Sequence, residues 1–430
     1  MIKETEYKKR RKKLAKKLLN NSATLLTSAE PKVRSNDTNY PYRQDSNFYY
    51  LTGFKEDNAS LVFIKLDNKT KTILFVQKKD AQEELWNGKR LGEFEAKKRF
   101  LVDEIRVSSS LKESLEELCK DKENLYFDFS IETPKIKKSL KRSFAAHYDI
   151  SPFIKQMRLI KSKSEMEIIK KAIKITKKAH HDAMKFNKCG KGENELLAKI
   201  EYIFKKNGAY SDAYTSIVAC GDSANTLHYI SNDKELKNKE LILIDAGCEY
   251  NYYASDITRT IPVDGKFTEA QRELYELVLD TQEQVIKMIK PNVLRSELQK
   301  KAENLLVDGM LKLGILRGKR DKLIKNLVHK KYYPHGIGHW MGLDVHDAAP
   351  YFDANKKEIP LRKNMVLTIE PGIYISKDDK SVPKRFRGIG IRIEDDILVT
   401  KNSHKNLSKK IVKGVKEIEA KSNSSLCISN

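Results

Sequence analysis

Two aspartates stand where short apolar stretches end, within residues 241–260. The apolar run 241–244 is typical of a buried strand and leads into Asp245, and a tyrosine-rich stretch leads into Asp256. Two antiparallel strands joined near Gly247 would place both carboxylates side by side, facing one cavity. Close carboxylates repel one another unless they share a proton or a cation. Taken alone, such a pair is more often two ordinary loop acids, so a functional interpretation depends on the rest of the chain.

A histidine-rich segment follows at residues 333–347. It contains three of the nine histidines of the chain, His335, His339 and His346, interspersed with glycines. Glycine allows the backbone to approach a ligand closely, and imidazole is the commonest nitrogen ligand of transition metals. The segment therefore indicates a metal site, with a loop of ordinary surface histidines as the alternative.

Two further carboxylates occupy strand-like positions near the end of the chain. The apolar run 366–369 leads into Glu370. Residues 389–397 alternate as one strand, which would point Arg392 and Glu394 to the same face. Each glutamate thus repeats the pattern of an acid carried by a strand.

These residues form one candidate ligand set of four carboxylates and one imidazole: Asp245, Asp256, His339, Glu370 and Glu394. Such a set suits a pair of divalent ions such as Mn²⁺, Co²⁺ or Zn²⁺, whereas a structural zinc prefers thiolates and imidazoles. Acids that bridge two ions are the expected arrangement for hydrolysis by an activated water.

The N-terminal part of the chain is predicted to be an α/β domain with a mixed sheet. Short apolar runs alternate with polar turns over residues 22–66, and residues 70–77 predict a further buried strand. A helix is expected at 111–120 and a strand at 125–129. We place the end of this domain within residues 151–163, which gives a first domain of residues 1–155.

A second domain is predicted over residues 162–420, followed by a mobile tail at 421–430. Ser164 and Glu165 would open its long first helix, and residues 215–220 predict a strand. Helices are expected at 269–289 and at 298–313, the latter with Ser296 as its cap. His228 lies between strand-like neighbours, where a lone histidine is more often structural than catalytic.

Composition limits the class of protein. A chain of 430 residues with 40% hydrophobic content can bury a large core and suits two domains. The five cysteines are scattered without paired spacing, which favours a reducing compartment over a disulfide framework. No apolar run is long enough to span a bilayer and no hydrophobic signal core is present at the N-terminus, so the cytoplasm is the expected location.

The formal net charge of +24 raises the question of nucleic-acid binding. The densest basic run, residues 8–13, continues into Leu14, Ala15, Leu18 and Leu19, which predicts a basic amphipathic helix with a solvated lysine face and a packed leucine face. No stacking aromatics accompany the run. The charge therefore favours a solvated lysine-rich surface over a nucleic-acid interface.

Four segments together resemble aminopeptidase P, the Xaa-Pro aminopeptidase of the pita-bread metallopeptidases. These are D-A-G-C-E-Y with S-D-I-T-R-T, H-G-I-G-H-W-M-G-L-D-V-H-D, L-T-I-E-P-G-I-Y-I and R-G-I-G-I-R-I-E-D-D. Their order and separation match that family, and residues 40–54 resemble its N-terminal domain. The resemblance covers nearly the whole chain and implies a fold of class α/β (α+β), with a mixed-sheet N-terminal domain and a pita-bread catalytic domain.

The resemblance also implies the roles of the ligand set. Asp245 and Asp256 would hold one metal ion, and Asp256, His339 and Glu370 would hold the other, with Glu394 bridging the two. Glu370 would accept the proton of the attacking water. Two divalent ions per subunit are expected, with Mn²⁺ favoured and Co²⁺ or Zn²⁺ as alternatives.

Other residues match family positions around the metals. His228, His335 and His346 would contact the substrate and the tetrahedral intermediate, and Arg392 would support the acids. Trp86 matches a tryptophan that in some members reaches the active site of a neighbouring subunit, so a homodimer or homotetramer is expected.

The implied activity is hydrolysis of the N-terminal Xaa-Pro bond of peptides with proline at the second position, by a hydroxide held between two metal ions. Four other functions are alternatives to this activity. A prolidase has the same ligands but prefers dipeptides, and a methionine aminopeptidase would lack the domain indicated by residues 40–54. A creatinase-like hydrolase is disfavoured because every ligand position is filled. A metal-free relative, recruited to RNA by its basic surface, would tolerate Asp245→Ala.

Overall fold

The computed structural model describes residues 2–130 and 144–423, with the side chain of Asn423 excepted. The chain divides into two compact units, Met1–Arg158 and Leu159–Asn430. The predicted domain boundaries, residues 1–155 for the first domain and 162–420 for the second, stay predictions. Of the predicted tail at 421–430, the first three residues belong to the last helix and the others lie outside the described residues.

Within its described residues, the first unit has a six-stranded sheet in the order β6-β5-β4-β1-β7-β8. The strands β1 (Ser22–Thr27), β4 (Ser60–Leu66) and β5 (Lys69–Val76) are joined antiparallel, whereas β6 (Glu104–Val107), β7 (Asn124–Phe127) and β8 (Ala146–Asp149) attach in parallel. A small hairpin is formed by β2 (Val33–Ser35) and β3 (Thr38–Asn39). The mixed sheet predicted from the alternation of strands and helices is therefore present.

The helices of this unit are α1 (Glu4–Ala15), α2 (Ser46–Thr52), α3 (Ala81–Asn87), α4 (Gly92–Arg99), α5 (Leu111–Leu118) and α6 (Ser151–Arg158). The apolar stretch within 40–54 thus forms a helix, which Asp45 caps by accepting a hydrogen bond from the Phe48 amide. The helix buries all of its residues, so its sequence carries no alternation that would distinguish it from a buried strand.

Helix α1 has the predicted exposed lysines and buried Leu14, but the prediction was wrong for Leu19, which is exposed. Two of its basic residues are also buried. Arg10 donates to the Tyr50 carbonyl (3.0 Å) and Arg11 to the Leu51 carbonyl (2.8 Å). These carbonyls belong to the last turn of α2, where a helix leaves its acceptors unpaired. Part of the basic run therefore stabilises a helix end and is not surface charge.

The second unit contains α7 (Lys163–Phe186), α8 (Glu193–Lys206), α9 (Glu269–Met288), α10 (Arg295–Lys312), α11 (Arg320–Lys325) and α12 (Val415–Asn423). Helix α7 begins one residue before the predicted Ser164, because Ser162 forms its capping box with Glu165. Ser296 is not a cap, since it lies inside the first turn of α10; Glu297 instead accepts from the Leu294 amide (2.7 Å).

The strands of the second unit form small sheets that pack on separate apolar clusters. They are ordered β10-β11-β13, β14-β17-β18, β15-β16 and β12-β9. Their bounds are β9 (Ser211–Asp212), β10 (Ile217–Cys220), β11 (Leu241–Asp245), β12 (Cys248–Glu249), β13 (Thr258–Pro262), β14 (Val366–Ile369), β15 (Gly372–Ile375), β16 (Ile389–Arg392), β17 (Asp395–Val399) and β18 (His404–Asn406). One cluster joins α7, α8, α9 and α10 to β10, β11, β13, β15 and β16, and another joins α9 and α10 to β14 and β17.

Two expected strand patterns differ in the structure. Strands β11 and β13 are antiparallel as predicted, but Asp245 pairs with Thr258, and Asp256 lies in the segment before β13. The predicted single strand at 389–397 is two strands, β16 and β17, which belong to different sheets and are separated at Ile393 and Glu394. Among the described residues, no helix combines the length and apolar character needed to span a membrane.

Candidate metal centre

One cavity of about 580 Å³ in the second unit is lined by all nine of the candidate residues of that unit. They are His228, Asp245, Asp256, His335, His339, His346, Glu370, Arg392 and Glu394. The cavity is bounded by the ends of β11, β14 and β16 and by the segments that precede β13 and β14. Acids as far apart in the chain as Asp245 and Glu394, 149 positions, therefore meet because each stands at or next to a strand end.

Asp245 ends β11 and is held by two donors. The Tyr214 hydroxyl donates to its Oδ1 and Arg392 Nη2 donates to its Oδ2, each at 2.6 Å. Asp256 reaches the same cavity by a different route. Its amide donates to Asp396 Oδ2 (3.2 Å), and the chain before it passes close to Gly247, where an added Cβ would lie 1.8 Å from the Ser255 carbonyl oxygen. A glycine is therefore required at 247 for the two aspartates to converge.

His339 is oriented by its own backbone and by β14. Its amide donates to Thr368 Oγ1 (3.1 Å), and its Nδ1 lies 3.1 Å from the Trp340 carbonyl. An Nδ1–H donated to that carbonyl leaves Nε2 directed at the acids, 3.2 Å from Asp256 Oδ2 and 3.6 Å from Glu370 Oε1. This is the tautomer expected of a metal-ligating histidine.

The arrangement fits a divalent cation. Ligand atoms of Asp256, His339 and Glu394 all lie within 4.8 Å of one another. Glu394 is 2% exposed, and its Oε2 accepts from the Thr258 hydroxyl (2.8 Å). Its Oε1 is buried with no hydrogen-bond partner among the described residues. A buried carboxylate oxygen without a donor is costly, and a cation would satisfy it.

The pKa values of the cavity residues also indicate that positive charge would stabilise this cluster of acids. Burial, together with the neighbouring acids, raises the pKa of Glu394 well above its usual range and that of Glu370 to about 7. Burial opposes charge on His339, but Asp256 and Glu370 outweigh it and raise the His339 pKa to about 9. Protons thus take the place that cations would hold among these acids.

A second network links His335 to Arg392 through Tyr374. Burial lowers the pKa of His335 to about 4, so the ring is neutral. With Nδ1–H donated to the Gly336 carbonyl (2.8 Å), Nε2 accepts from the Tyr374 hydroxyl (2.8 Å), which itself accepts from Arg392 Nη1 (2.9 Å). Arg392 therefore connects Asp245 to His335.

Sequence reasoning missed Tyr374 and Tyr214. Tyr374 lies in the segment L-T-I-E-P-G-I-Y-I, and the signal that could have found it is its place on β15, which pairs with the strand that carries Arg392. Tyr214 lies before β10, the partner of β11, but nothing in its local sequence marks it.

The remaining histidines lie at the cavity wall. The His346 ring contacts the His339 ring edge-on, with centroids 4.2 Å apart. His228 is exposed in the segment after β10, not in a strand as its neighbours suggested. The next residue, Tyr229, donates to the buried Glu193 (2.8 Å), which also accepts from the Cys220 and Lys234 amides (2.6 and 3.0 Å). Glu193 thus anchors the segment that carries His228.

Trp86 belongs to the first unit, on helix α3, where its side chain is 84% exposed.

Behind the cavity, a buried ion pair supports the backbone at Glu394. Arg259 and Asp395 are both fully buried, and Arg259 Nη2 donates to Asp395 Oδ1 (2.7 Å). Arg259 Nη1 also donates to the Glu394 carbonyl (2.6 Å). Lys413 Nζ lies 2.9 Å from Asp395 Oδ2. This ion pair fixes the backbone at the break between β16 and β17.

Comparison with known proteins agrees with this geometry. Residues 167–401 match Metallopeptidase family M24, and residues 7–126 match the family described as Aminopeptidase P, N-terminal domain. The chain is 39% identical to Xaa-Pro aminopeptidase of Escherichia coli over 97% of this chain and 98% of the relative. It is 40% identical to Xaa-Pro aminopeptidase of Haemophilus influenzae, covering 96% of each chain.

Solved structures show the same likeness. Aminopeptidase P from E. coli with the inhibitor Pro-Leu superposes with a TM-score of 0.96 at 38% identity, covering 99% of both chains. A Zn-substituted form of the E. coli enzyme in complex with product superposes with a TM-score of 0.95. The predicted fold class, with its N-terminal mixed-sheet domain and its pita-bread catalytic domain, is confirmed. This chain therefore belongs to metallopeptidase family M24, a family of metal-dependent hydrolases, and carries the N-terminal domain of aminopeptidase P.

Proposed function

We propose that this protein is an aminopeptidase that hydrolyses the N-terminal Xaa-Pro bond of peptides, with water activated between two divalent metal ions. The observation that carries the proposal is the convergence of four carboxylates and His339 in one cavity. The names of the E. coli and H. influenzae relatives, both Xaa-Pro aminopeptidases, support the substrate class.

The ligands are assigned as the family resemblance implies. Asp245 and Asp256 would hold one ion, and Asp256, His339 and Glu370 would hold the other, with Glu394 as a ligand shared by both. The proximity of Asp256, His339 and Glu394 supports this assignment, and so does the unpaired Glu394 Oε1. Divalent ions bound there supply a water of lowered pKa and polarise the peptide carbonyl. We propose Mn²⁺ as the metal, with Co²⁺ and Zn²⁺ as alternatives.

Glu370 accepts the proton of the attacking water in this proposal. Its carboxylate lies between two histidines, with Oε1 3.6 Å from His339 Nε2 and Oε2 3.9 Å from His335 Nδ1. The same carboxyl group can then return the proton to the leaving proline nitrogen.

The histidines at the cavity wall contact the substrate. One histidine, His346 or His228, stabilises the negative charge that develops on the carbonyl oxygen, and His335 contacts the peptide. Arg392 Nη2 donates to Asp245 Oδ2 and holds that carboxyl group in place. Apolar side chains at the same cavity give the proline ring a surface to pack on: Ile217, Leu227, Ile230 and Val345.

The proposal includes a cytoplasmic location and a homodimer or homotetramer. The highly exposed Trp86 supports self-association, because an exposed tryptophan side chain gains from burial in an interface. In the assembly, Trp86 would reach the substrate of a neighbouring subunit. Nucleic acid is not among the proposed partners.

The test compares a short peptide that begins Xaa-Pro with the matching Xaa-Pro dipeptide. Each is assayed after chelation and after Mn²⁺, Co²⁺ or Zn²⁺ has been added back. Metal-dependent release of the first residue, faster from the longer peptide, is the expected result. Preference for the dipeptide would make the protein a prolidase, and no cleavage with any metal would contradict the proposal.

A further inference from the structure

The segment 335–339, which carries His335 and His339, is bound along one edge by β14 and the residue that follows it. The Glu370 amide donates to the Ile337 carbonyl (2.9 Å), and the Thr368 amide donates to the His339 carbonyl (2.9 Å). An added Cβ at Gly338 would lie 2.0 Å from the Thr368 carbonyl oxygen, so the two backbones are in close contact. One edge of the segment is therefore fixed by ordinary strand-like pairing.

The opposite edge of this segment is bound by side chains of helix α10. The Ile337 amide donates to Gln299 Oε1 (2.6 Å), and Arg295 Nη1 donates to the Gly338 carbonyl (3.1 Å). Arg295 and Gln299 are four positions apart and so lie on one face of the helix. Backbone groups that β14 leaves unpaired are satisfied by these two side chains.

Both side chains are themselves held in place. The Arg295 guanidinium lies 4.6 Å from the centroid of the Tyr351 ring, and Tyr351 stacks on Trp340 at 5.5 Å with an interplanar angle of 18°. Gln299 Nε2 donates to Glu303 Oε1 (2.9 Å), and the same oxygen lies 2.9 Å from Lys330 Nζ. The contacts of α10 with the segment are thus part of a connected, partly buried network.

We propose that Arg295 and Gln299 are positioning residues, which set the location of the His335 and His339 imidazoles through the backbone between them. A segment with glycines at 336 and 338 has little conformational preference of its own, so hydrogen bonds from outside must define it. This inference rests on the proposed function, in which His339 is a metal ligand and His335 contacts substrate. Neither α10 side chain touches the metal site directly.

The test uses Gln299→Met, which removes the acceptor at similar volume, and Arg295→Met, which removes the donor. Lys300→Met, an exposed position on the same helix, is the matched control, and Gln299→Glu keeps an acceptor oxygen. Three quantities are measured: the Mn²⁺ Kd of the chelator-treated protein by calorimetry, kcat and KM on an Xaa-Pro tripeptide, and the Tm without metal.

Both Met variants at 295 and 299 are expected to bind Mn²⁺ about tenfold more weakly and to lose about tenfold in kcat, the range found when groups that orient metal ligands are removed. KM should change by less than about threefold, because the apolar part of the cavity is untouched. Gln299→Glu should recover most of both losses, and Lys300→Met should match the wild type.

Wild-type Mn²⁺ affinity and kcat in a folded Gln299→Met protein would overturn the inference, even if its Tm falls, because a purely structural role moves Tm alone. If Gln299→Met fails to fold, Arg295→Met is judged by the same criteria. Wild-type protein that neither binds Mn²⁺ nor cleaves the tripeptide would overturn the proposed function and this inference together. An active wild type with unaffected variants would overturn only the inference.

Discussion

Within the cavity, the protonation state of each group follows from its neighbours. Burial opposes charge on the acids and on His335, His339 and His346, yet Asp256 has a lowered pKa because the contact with His339 outweighs burial. Burial and the neighbouring acids raise the pKa values of Asp245, Glu370 and Glu394, although Arg392 donates to Asp245 at 2.6 Å. The site is therefore short of positive charge, which is the property expected of a site for divalent cations.

His339→Ala is expected to lower Xaa-Pro cleavage by at least about 100-fold, since removal of a ligand should exceed the effect of removing groups that only orient one. The fold should persist, because the side chain faces the cavity. Activity and far-UV circular dichroism are compared with those of His404→Ala, a histidine outside the cavity that contacts the Ile289 carbonyl. Full activity in His339→Ala would remove the ligand assignment.

Asp212 provides a prediction for pH that is separate from the metal site. Burial and the nearby Glu201 raise its pKa to about 7. Between about pH 4 and pH 7 the folded protein therefore keeps a proton that the unfolded chain has released, so this group lowers the stability as pH rises. Asp212→Asn should leave the free energy of unfolding unchanged near pH 4, and should raise it by roughly 1–3 kcal/mol at about pH 8.

Urea titrations of both proteins across this pH range would measure the difference. If Asp212→Asn raised the free energy of unfolding by the same amount at every pH, Asp212 would be ionised in the folded protein across this range, which would contradict its raised pKa.

Among the secondary-structure elements, strand ends decide where the ligands lie. The acids at these strand ends were predictable from sequence, because each follows a short apolar run that had to be buried. The pairing of one strand with the next was harder to predict. Asp256 does not oppose Asp245 on a neighbouring strand, since Gly247 lets the chain fold closely over Ser255 before β13 begins. Local patterns report which strands exist, whereas register depends on contacts that only the folded chain supplies.

The break between β16 and β17 at Ile393 and Glu394 could not be predicted from the local sequence for a similar reason. Alternation continues through residues 389–397, so nothing local marks the change from one sheet to another. Arg259 produces it by donating to the Glu394 carbonyl from more than one hundred positions away. The predicted common face of Arg392 and Glu394 nevertheless holds, because both line the cavity.

The Arg259–Asp395 pair gives a prediction of stability. Arg259→Leu should destabilise the second unit by about 3–5 kcal/mol, because it leaves a fully buried carboxylate without its main partner. Arg272→Leu, which breaks an exposed pair with Glu419, is the control and should cost less than about 1 kcal/mol. Equal losses in the two variants, measured by thermal or chemical unfolding, would contradict this account.

Gly338 and Gly336 form a second matched comparison within the histidine segment. A Cβ at Gly338 meets the Thr368 carbonyl oxygen at 2.0 Å, whereas one at Gly336 finds its nearest atom at 3.6 Å. Gly338→Ala should therefore cost about 1–3 kcal/mol of unfolding free energy, as overpacking against backbone does. Gly336→Ala should stay within about 0.5 kcal/mol of the wild type. Chemical denaturation distinguishes the two, and an undisturbed Gly338→Ala would show that β14 can move aside.

For the molecule as a whole, composition and net charge predict the character of the surface and the class of protein. The net charge of +24 is not all surface charge, since Arg10, Arg11, Arg259 and Arg392 are buried on specific acceptors. Composition could not show this, because a buried arginine and an exposed one contribute equally to the net charge. It did indicate a protein large enough for two domains, and the chain has two compact units.

The most direct measurement titrates Mn²⁺ into chelator-treated protein while bound metal and cleavage of an Xaa-Pro tripeptide are followed together. Four carboxylates and one histidine in a single cavity predict that full activity is reached with two ions bound per chain. Asp256→Asn, which removes charge from the acid assigned to both ions, should lose both the binding and the cleavage. Full cleavage by the chelated wild-type protein, or saturation of activity with no metal bound in this cavity, would contradict the account.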